Sequence, residues 1–345
     1  MLKLDLKDRK ILTILDINAR TPLSKIASEV GLSKQVVDYR IKRLIEKGVI
    51  TGFTIRCDLT KLGYSTFGVY LRLRNLTEQR EKEIIDIIVK HPFTKWMVVC
   101  EGRWEMAFVL AAKNMLEFES RLEDVLAAIG DNVEKYETAS LFNINEFYLN
   151  LQETKEPSLT KPVLNEFAAE KEQEKIDSTD ISILDELQSN SRTNPVAIAA
   201  KLKISTDIVR YRIKSLINKK IIRAFHTQIN FAALGYSWYQ LILELRGCSG
   251  TYEKELLNKI KQIPHISHIV RCMGPWDFEL NIQAENNHEF RRILLKLREK
   301  LEGLINSYDT TIVFGKYKSK NIPEGIIREF TTKKQKAKTI PRNKE

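Results

Sequence analysis

The stretch SKQVVDYRIKRLI at residues 33–45 returns as STDIVRYRIKSLI at residues 205–217, which lies 172 residues further along the chain. The same shift, without a gap, brings LGYS at residues 62–65 onto LGYS at residues 234–237. It also brings Trp104 onto Trp276. Self-similarity at one fixed spacing is the signature of a repeated structural unit. The chain is therefore predicted to be a tandem duplication of one unit.

Each copy begins with a segment that has the pattern of three short helices. The third helix carries an apolar stripe at helical spacing, formed by Val37, Ile41, Leu44 and Ile45 in the first copy and by Val209, Ile213, Leu216 and Ile217 in the second. Ser33 is a candidate N-cap for this helix, and Gly31 favours a left-handed exit from the second helix. Thr21 is expected to cap the second helix, with Pro22 at its first position. This order predicts a helix-turn-helix.

The face opposite the apolar stripe is where a recognition helix presents side chains to the DNA major groove. The candidate DNA-binding residues are Ser33, Lys34, Gln35, Val36, Tyr39, Arg40, Lys42 and Arg43 in the first copy, and Ser205, Thr206, Tyr211, Arg212 and Lys214 in the second. A solvated amphipathic face is the alternative. Arg40 and Arg212 border the stripe, so an intramolecular salt bridge competes with a phosphate contact. Asp207 replaces Gln35, so the second helix is expected to be the weaker DNA reader or largely structural.

The charge distribution agrees with a nucleic-acid partner. The formal net charge is +11, and the basic excess is concentrated in residues 1–55, 173–227 and 328–345. Clustered Lys and Arg favour DNA because each phosphate contact releases a condensed counterion. Solubility alone is the alternative explanation. The last segment has few apolar residues and is predicted to be a disordered tail that contacts phosphates through Lys333, Lys334, Lys336, Lys338, Arg342 and Lys344.

Composition excludes several other classes of protein. No apolar run approaches the ~20 residues that cross a bilayer, and the first residues do not resemble a signal peptide. The four cysteines (Cys57, Cys100, Cys248 and Cys272) form no C-x-x-C pair and are scattered, which favours a reducing, cytoplasmic location. His265-x-x-His268 with Cys272 is a weak metal motif, and surface or core histidines are the preferred reading. We expect neither a metal nor a cofactor.

Each helix-turn-helix is followed by a β-rich module with the order βαββαβ. The first has strands at 66–73, 95–100, 104–111 and 133–142 with helices at 78–89 and 116–129; the second has strands at 237–245, 267–272, 276–284 and 305–314 with helices at 252–262 and 288–301. This order predicts an α+β fold of ferredoxin-like type, an antiparallel sheet with two helices on one face. The open face needs a cover, which either the sister copy or a second chain can supply.

These observations divide the chain into six segments. Two helix-turn-helix domains are predicted at 1–55 and 177–227, and two ferredoxin-like effector or dimerisation domains at 56–150 and 228–327. A linker at 151–176 joins the copies, and the basic tail occupies 328–345.

The combination resembles the Lrp/AsnC (feast/famine) regulators over nearly the whole chain, twice. Ser33-x-x-x-Val37-x-x-Arg40-Ile41 is similar to that family's recognition helix. Gly102-Arg103-Trp104-Glu105 and Gly274-Pro275-Trp276-Asp277 resemble its effector-loop pattern of glycine, aromatic and acid. The resemblance implies a winged-type helix-turn-helix plus a RAM module, and a sequence-specific, DNA-binding transcription regulator modulated by a small molecule such as an amino acid. It also implies self-association through the sheets, within the chain or between chains.

The resemblance places the effector at Gly102, Trp104, Glu105, Gly274, Trp276 and Asp277. The alternative is that each glycine only permits a hairpin and each tryptophan only packs between sheets. The family normally has one copy per chain, and Glu105 stands where aspartate is usual, so the identity of the effector does not transfer.

Two rival functions remain open. Siroheme decarboxylases share the helix-turn-helix plus βαββαβ plan, so the fold alone does not exclude an enzyme. Such an enzyme would need histidine and arginine side chains that clamp a tetrapyrrole, and the modules offer His91, His265, His268 and His288. A small-molecule sensor that does not bind DNA is the other rival. The basic reading faces favour the regulator, and we predict that the chain is not an enzyme.

Overall fold

The computed structural model describes residues 4–146, 173–247, 250–260, 263 and 265–338. The first copy comprises α1 (Leu6–Ile17), α2 (Leu23–Val30), α3 (Lys34–Glu46), β1 (Ile50–Cys57), β2 (Ser65–Leu73), α4 (Glu78–Lys90), β3 (Thr94–Glu101), β4 (Met106–Ala112), α5 (Met115–Ile129) and β5 (Val133–Glu146). Most of the predicted linker, Cys248 and the end of the predicted tail lie outside the described residues.

The second copy repeats this order and adds one helix. It comprises α6 (Ser178–Ser189), α7 (Pro195–Leu202), α8 (Thr206–Asn218), β6 (Ile222–Ile229), β7 (Ser237–Leu245), α9 (Gly250–Ile260), β8 (Ile266–Met273), β9 (Phe278–Ala284), α10 (Asn287–Lys300), β10 (Ile305–Ser319) and α11 (Glu324–Lys338). The α+β class and the two βαββαβ modules are confirmed. None of the helices in the described ranges is long and apolar enough to cross a membrane.

Local sequence explains the helix-turn-helix geometry, with one exception. Ser33 caps α3 by accepting a hydrogen bond from the amide of Val36, and Gly31 ends α2 with φ at +67°. The predicted cap at Thr21 is wrong. Pro22 is itself the N-cap of α2, and the Thr21 hydroxyl donates instead to the carbonyl of Asn18. The proline therefore precedes the helix and shifts its start by one residue.

The two helix-turn-helix domains complete each other's cores. Strand β1 pairs antiparallel with β6, so that one two-stranded ribbon connects the copies. The core of the first domain includes Ile229 and Phe231 from the second copy. The core of the second domain includes Ile55 and Leu59 from the first copy. Neither domain buries its apolar surface alone, so the pair forms one structural unit.

The eight strands of the two modules form one closed barrel, in the order β10-β3-β4-β2-β5-β8-β9-β7. Strand β5 pairs with both β2 and β8, while β10 pairs with both β7 and β3. The sister copy therefore covers the open sheet face, and the strands have no unpaired edge. The core between the sheets comprises Tyr70, Val98, Cys100, Trp104, Ala107, Ala139, Ile242, Val270, Cys272, Trp276 and Val313.

The C-terminal helix α11 corrects the prediction of a disordered tail from residue 328. The chain remains helical to Lys338, and Ile326 is fully buried in the core around the second helix-turn-helix. The carboxylate of Glu329 accepts a 2.7 Å hydrogen bond from the Tyr64 hydroxyl and pairs with Lys113. The sequence did not indicate this helix, because only a few of its residues, such as Ile326 and Glu329, make the contacts that hold it in place.

Two glycines allow the modules to approach closely. A Cβ atom on Gly274 would lie 2.8 Å from the carbonyl oxygen of Thr138, in β5 of the other module. A Cβ on Gly102, whose φ is +145°, would lie 2.9 Å from the carbonyl oxygen of Thr310 in β10. Both obstacles are backbone atoms within a paired strand, which has little freedom to move. Each glycine therefore serves the contact between the copies.

We predict that Gly274→Ala lowers the free energy of unfolding by about 1–3 kcal/mol, because the added methyl group forces the sheets apart. Urea unfolding followed by tryptophan fluorescence measures the change. Met273→Ala is the matched control, since the neighbouring Met273 side chain is exposed and should contribute less than ~0.5 kcal/mol. An equal loss in both variants would contradict the assigned role of Gly274.

Candidate nucleic-acid interface

Helix α3 presents an exposed face whose chemistry suits DNA. Ser33, Lys34, Gln35 and Lys42 are exposed, and so are Val36 and Tyr39, at 40% and 65%. On the opposite side Val37, Ile41 and Leu44 are buried in the domain core. Ile45 departs from the predicted stripe because it is 44% exposed near the helix end. The exposed face combines positive charge, an amide and apolar groups, which together can contact phosphates and base edges.

Two of the predicted DNA-binding arginines are engaged inside the domain. The carboxylate of Asp8 is only 1% exposed, and its Oδ1 accepts a 2.8 Å ion-paired hydrogen bond from Arg40 Nη1. Arg43 Nη2 pairs with the other oxygen of the same carboxylate. Arg40 also pairs with Asp5, and these hydrogen bonds raise the pKa of its guanidinium. Arg40 and Arg43 thus fasten α3 to α1, and the salt-bridge alternative holds for Arg40.

The second copy repeats this anchor in a reduced form. Arg212 Nη1 lies 2.8 Å from Asp177 Oδ1 and 2.9 Å from Asp180 Oδ1. Ser215 stands where the first copy has Arg43, so one guanidinium replaces two. Arg212 is therefore also a structural contact. Each helix-turn-helix domain is called a head below. Among the other predicted residues of the second head, Ser205, Tyr211 and Lys214 are exposed, while Thr206 is half-buried.

The reading face of α8 contains an arginine that the sequence analysis missed. Arg210 is exposed and its Nη1 lies 3.1 Å from Asp207 Oδ1. The counterpart of Arg210 in α3 is Asp38, which pairs with Lys42 at 2.8 Å. Comparison of the aligned copies could have found it, because the sequence exchanges an acid for a base at this position.

Reciprocal contacts fix the two heads relative to each other. Arg20 Nη2 donates to the carbonyl of Thr193 at 2.8 Å, and its counterpart Arg192 donates to the carbonyl of Ala19. The guanidinium of Arg20 stacks over Phe225, and that of Arg192 stacks over Phe53. Burial lowers the pKa of both arginines. The stacking of arginine on phenylalanine repeats under the shift of 172 residues, whereas the two carbonyl acceptors are not equivalent positions.

The six residues expected to hold an effector all make contacts within the chain. Trp104 and Trp276 are buried between the sheets. Glu105 Oε2 accepts a 2.7 Å hydrogen bond from the amide of Leu73, and Asp277 Oδ2 accepts one of 2.8 Å from Leu245. Gly102 and Gly274 lie where the modules approach closely. These contacts agree with the alternative in which the glycines and tryptophans serve packing between the sheets. Their place in an effector site stays a prediction.

A buried polar cluster at the centre of the barrel was also missed. Glu279 Oε2 accepts a 2.9 Å hydrogen bond from Gln240 Nε2, and its Oε1 accepts one of 3.2 Å from Trp276 Nε1 and another from the Tyr70 hydroxyl. Burial raises the pKa of Glu279 above its usual value. The counterpart of Glu279 is Ala107, so Trp104 Nε1 has no hydrogen-bond partner among the described residues. The exchange of Ala107 for Glu279 between the aligned copies could have indicated this cluster.

His265, His268 and Cys272 of the second β-rich module make separate contacts within the chain. His265 Nε2 lies 3.6 Å from Glu289 Oε1, and His268 Nδ1 lies 3.0 Å from the hydroxyl of Ser267. Cys272 bonds to Glu279 inside the barrel. Burial lowers the pKa of His91 to about 4. Within the described ranges no group of three or more His, Cys, Asp or Glu side chains could hold a metal ion.

Two models of protein families match this chain. A model of the AsnC-type helix-turn-helix domain matches residues 4–45 and 176–217, and a model of the Lrp/AsnC ligand binding domain matches residues 242–323. The architecture is thus a tandem pair of Lrp/AsnC-type units. The crystal structure of the siroheme decarboxylase NirDL has a TM-score of 0.61 at 14% identity, covering 96% of this chain and 99% of that one. At this identity the likeness shows the shared two-unit fold alone.

Relatives with a single unit decide the family. An uncharacterised HTH-type transcriptional regulator of Pyrococcus furiosus is 32% identical over 132 residues, which cover 38% of this chain and 88% of the relative. The HTH-type transcriptional regulator LrpA of Pyrococcus abyssi is 45% identical over 113 residues, which cover 32% of this chain and 77% of LrpA. The chain belongs to the Lrp/AsnC family.

We predict that Arg40→Ala destabilises the first helix-turn-helix by about 2–3 kcal/mol, because it leaves the buried Asp8 carboxylate with a single guanidinium partner. Lys42→Ala is the matched control, since it removes a basic residue of the same helix from an exposed ion pair. Chemical unfolding followed by circular dichroism compares the two. If Lys42→Ala destabilises the protein as much as Arg40→Ala does, the anchor is misassigned.

We predict that Glu279→Gln removes a pH dependence of stability. Because the folded-state pKa of Glu279 is raised, the native chain keeps a proton that the unfolded chain loses above pH 4.5. The free energy of unfolding of the parent chain should therefore fall, relative to the variant, as pH rises from 4.5 towards the folded-state pKa. Urea unfolding of both proteins between pH 5 and 9 gives this difference. A difference that does not change with pH would show that Glu279 stays ionised.

Proposed function

We propose that the chain is a sequence-specific DNA-binding transcription regulator in which one polypeptide carries both reading heads. The observation that supports this most is the exposed face of α3. Its Lys34, Gln35, Val36 and Tyr39 remain accessible, while Arg40 and Arg43 hold the helix in place. A recognition helix needs this division of labour, because base contacts require a helix whose position does not change.

The electrostatics support the same function. The net charge of +11 favours DNA, and the ribbon of β1 and β6 holds the two heads as a pair. Two heads in one chain fit two half-sites about one helical turn (~10 bp) apart, or a multiple of it. The relatives named as HTH-type transcriptional regulators support this assignment.

A small molecule such as an amino acid is proposed to adjust the affinity for DNA. The support is the match of residues 242–323 to the Lrp/AsnC ligand binding domain. DNA binding measured by fluorescence anisotropy in the presence of each amino acid tests this part. An effector must bind the DNA-competent and the DNA-free forms with different affinity. If no amino acid changes the DNA affinity, this part of the proposal fails and the DNA-binding part stands.

A tetrapyrrole enzyme is the second candidate, because the fold match to the siroheme decarboxylase NirDL covers nearly the whole chain. Fold similarity by itself does not transfer activity, and the relatives with the higher identities are regulators. Addition of an iron tetrapyrrole to the purified chain distinguishes the two. A shifted Soret band with loss of a substrate carboxyl group would favour the enzyme, and an unchanged spectrum would favour the regulator.

We predict that Gln35→Ala lowers affinity for the selected DNA site roughly tenfold and leaves non-specific affinity unchanged, because the amide can read a base edge and carries no charge. The site is first selected from random-sequence duplexes with the full chain, and affinity is measured by fluorescence anisotropy. Gln79→Ala, an exposed glutamine on α4 of the barrel, is the matched control. A protein that enriches no sequence above competitor DNA would refute the proposed function.

A further inference from the structure

The two heads are presented as a fixed and unequal pair. The ribbon of β1 and β6 runs in register from Ile50 opposite Ile229 to Cys57 opposite Ile222. The barrel is closed by β10 on β3 and by β5 on β8, all within one chain. Within one chain, the paired helix-turn-helix domains therefore present one α3 and one α8.

The reading faces of α3 and α8 share a common frame. Four aligned pairs keep the same kind of side chain, namely Ser33 and Ser205, Val36 and Ile208, Tyr39 and Tyr211, and Lys42 and Lys214. Tyr39 and Tyr211 are both well exposed. Both helices begin at an equivalent serine cap, which places these residues at the same height along each helix. The two half-sites that they contact should therefore be related.

The faces differ where a recognition helix first meets the bases. In the first turn, Lys34 and Gln35 of α3 correspond to Thr206 and Asp207 of α8. The side chain of Asp207 is 91% exposed, and Arg210 lies beside it. A glutamine amide offers a donor and an acceptor together, whereas an aspartate offers only acceptors. The two helices therefore cannot prefer the same base at this position.

We infer that the chain reads a non-palindromic operator in one fixed orientation, with adenine opposite Gln35 in the α3 half-site and cytosine opposite Asp207 in the α8 half-site. Glutamine pairs with adenine N6 and N7 in the major groove, and an acidic side chain accepts from the amino group of cytosine. This inference rests on the proposed function and adds to it the symmetry of the site. Asp207 then determines specificity by accepting a hydrogen bond from a base. Its charge alone would only repel phosphates.

Dipole stabilisation is the structural alternative for Asp207, because an acid in the first turn of a helix is favourable. Both explanations accept an acid at this position. They differ in the DNA that the chain prefers, since a dipole contact carries no base preference. Binding to designed duplexes therefore separates them.

The experiment begins with selection of bound duplexes from a random-sequence pool by the full chain. Three duplexes are then compared by anisotropy: the selected composite site, a palindrome of its α3 half-site and a palindrome of its α8 half-site. The composite should bind best, and each palindrome should bind roughly tenfold more weakly, as expected when base pairs under one head are mismatched. Selection of a palindrome, or affinities within twofold of each other, would overturn the inference while leaving the proposed function intact.

A variant with equalised heads tests the residue assignment. Thr206→Lys combined with Asp207→Gln gives α8 the first turn of α3, and this variant should prefer the α3 palindrome over the composite. Asp86→Gln, at an exposed ion-paired aspartate on α4, should keep the preference of the parent chain. If the equalised variant still prefers the composite, Asp207 does not read a base. If no sequence is selected at all, the proposed function itself fails.

Discussion

Closure of the barrel through β5 and β10 is the constraint on which the rest of the structure depends. Each of these strands pairs with a neighbour from its own module on one side and with a strand of the sister module on the other. Backbone hydrogen bonds therefore tie the copies together, and the eight described barrel strands have no unpaired edge. The ribbon of β1 and β6 is a second connection between the copies, in a sheet separate from the barrel. It pairs the two strands that follow α3 and α8.

Duplication relaxes symmetry at positions that a homodimer would have to keep identical. At the barrel centre Glu279 accepts hydrogen bonds from Trp276 and Gln240, while its counterpart Ala107 offers none and Trp104 Nε1 has no partner in the described part of the chain. In a homodimer, two glutamates would face the same apolar core, and burying two carboxyl groups would cost more than burying one. A single chain can carry one glutamate. The asymmetry of the core is thus physically possible because the halves are covalently joined and differ in sequence.

Local signals predicted most of the fold. The apolar stripe of Val37, Ile41 and Leu44 and the cap at Ser33 gave α3, because helices are specified by neighbouring residues. Whether the sheets pair within one chain was left open, since strand pairing depends on contacts far apart in sequence. The errors have the same origin. The tail was predicted to be disordered because Glu329 is stabilised by Tyr64 and Lys113, more than 200 residues away in the sequence.

The candidate site was less predictable than the fold, because the sequence does not show which charged side chains are already paired. Arg40 and Lys42 are both basic residues of α3, yet Arg40 turns inward to the buried Asp8 and Lys42 remains outside. Whether a side chain is already engaged within the chain also separates the positions that the two heads share from those that differ. Contacts between the copies, such as Arg20 over Phe225 and Arg192 over Phe53, are repeated because both halves share one interface. Exposed positions such as Gln35 and Asp207 make no contact with that interface, so the interface does not require them to stay alike.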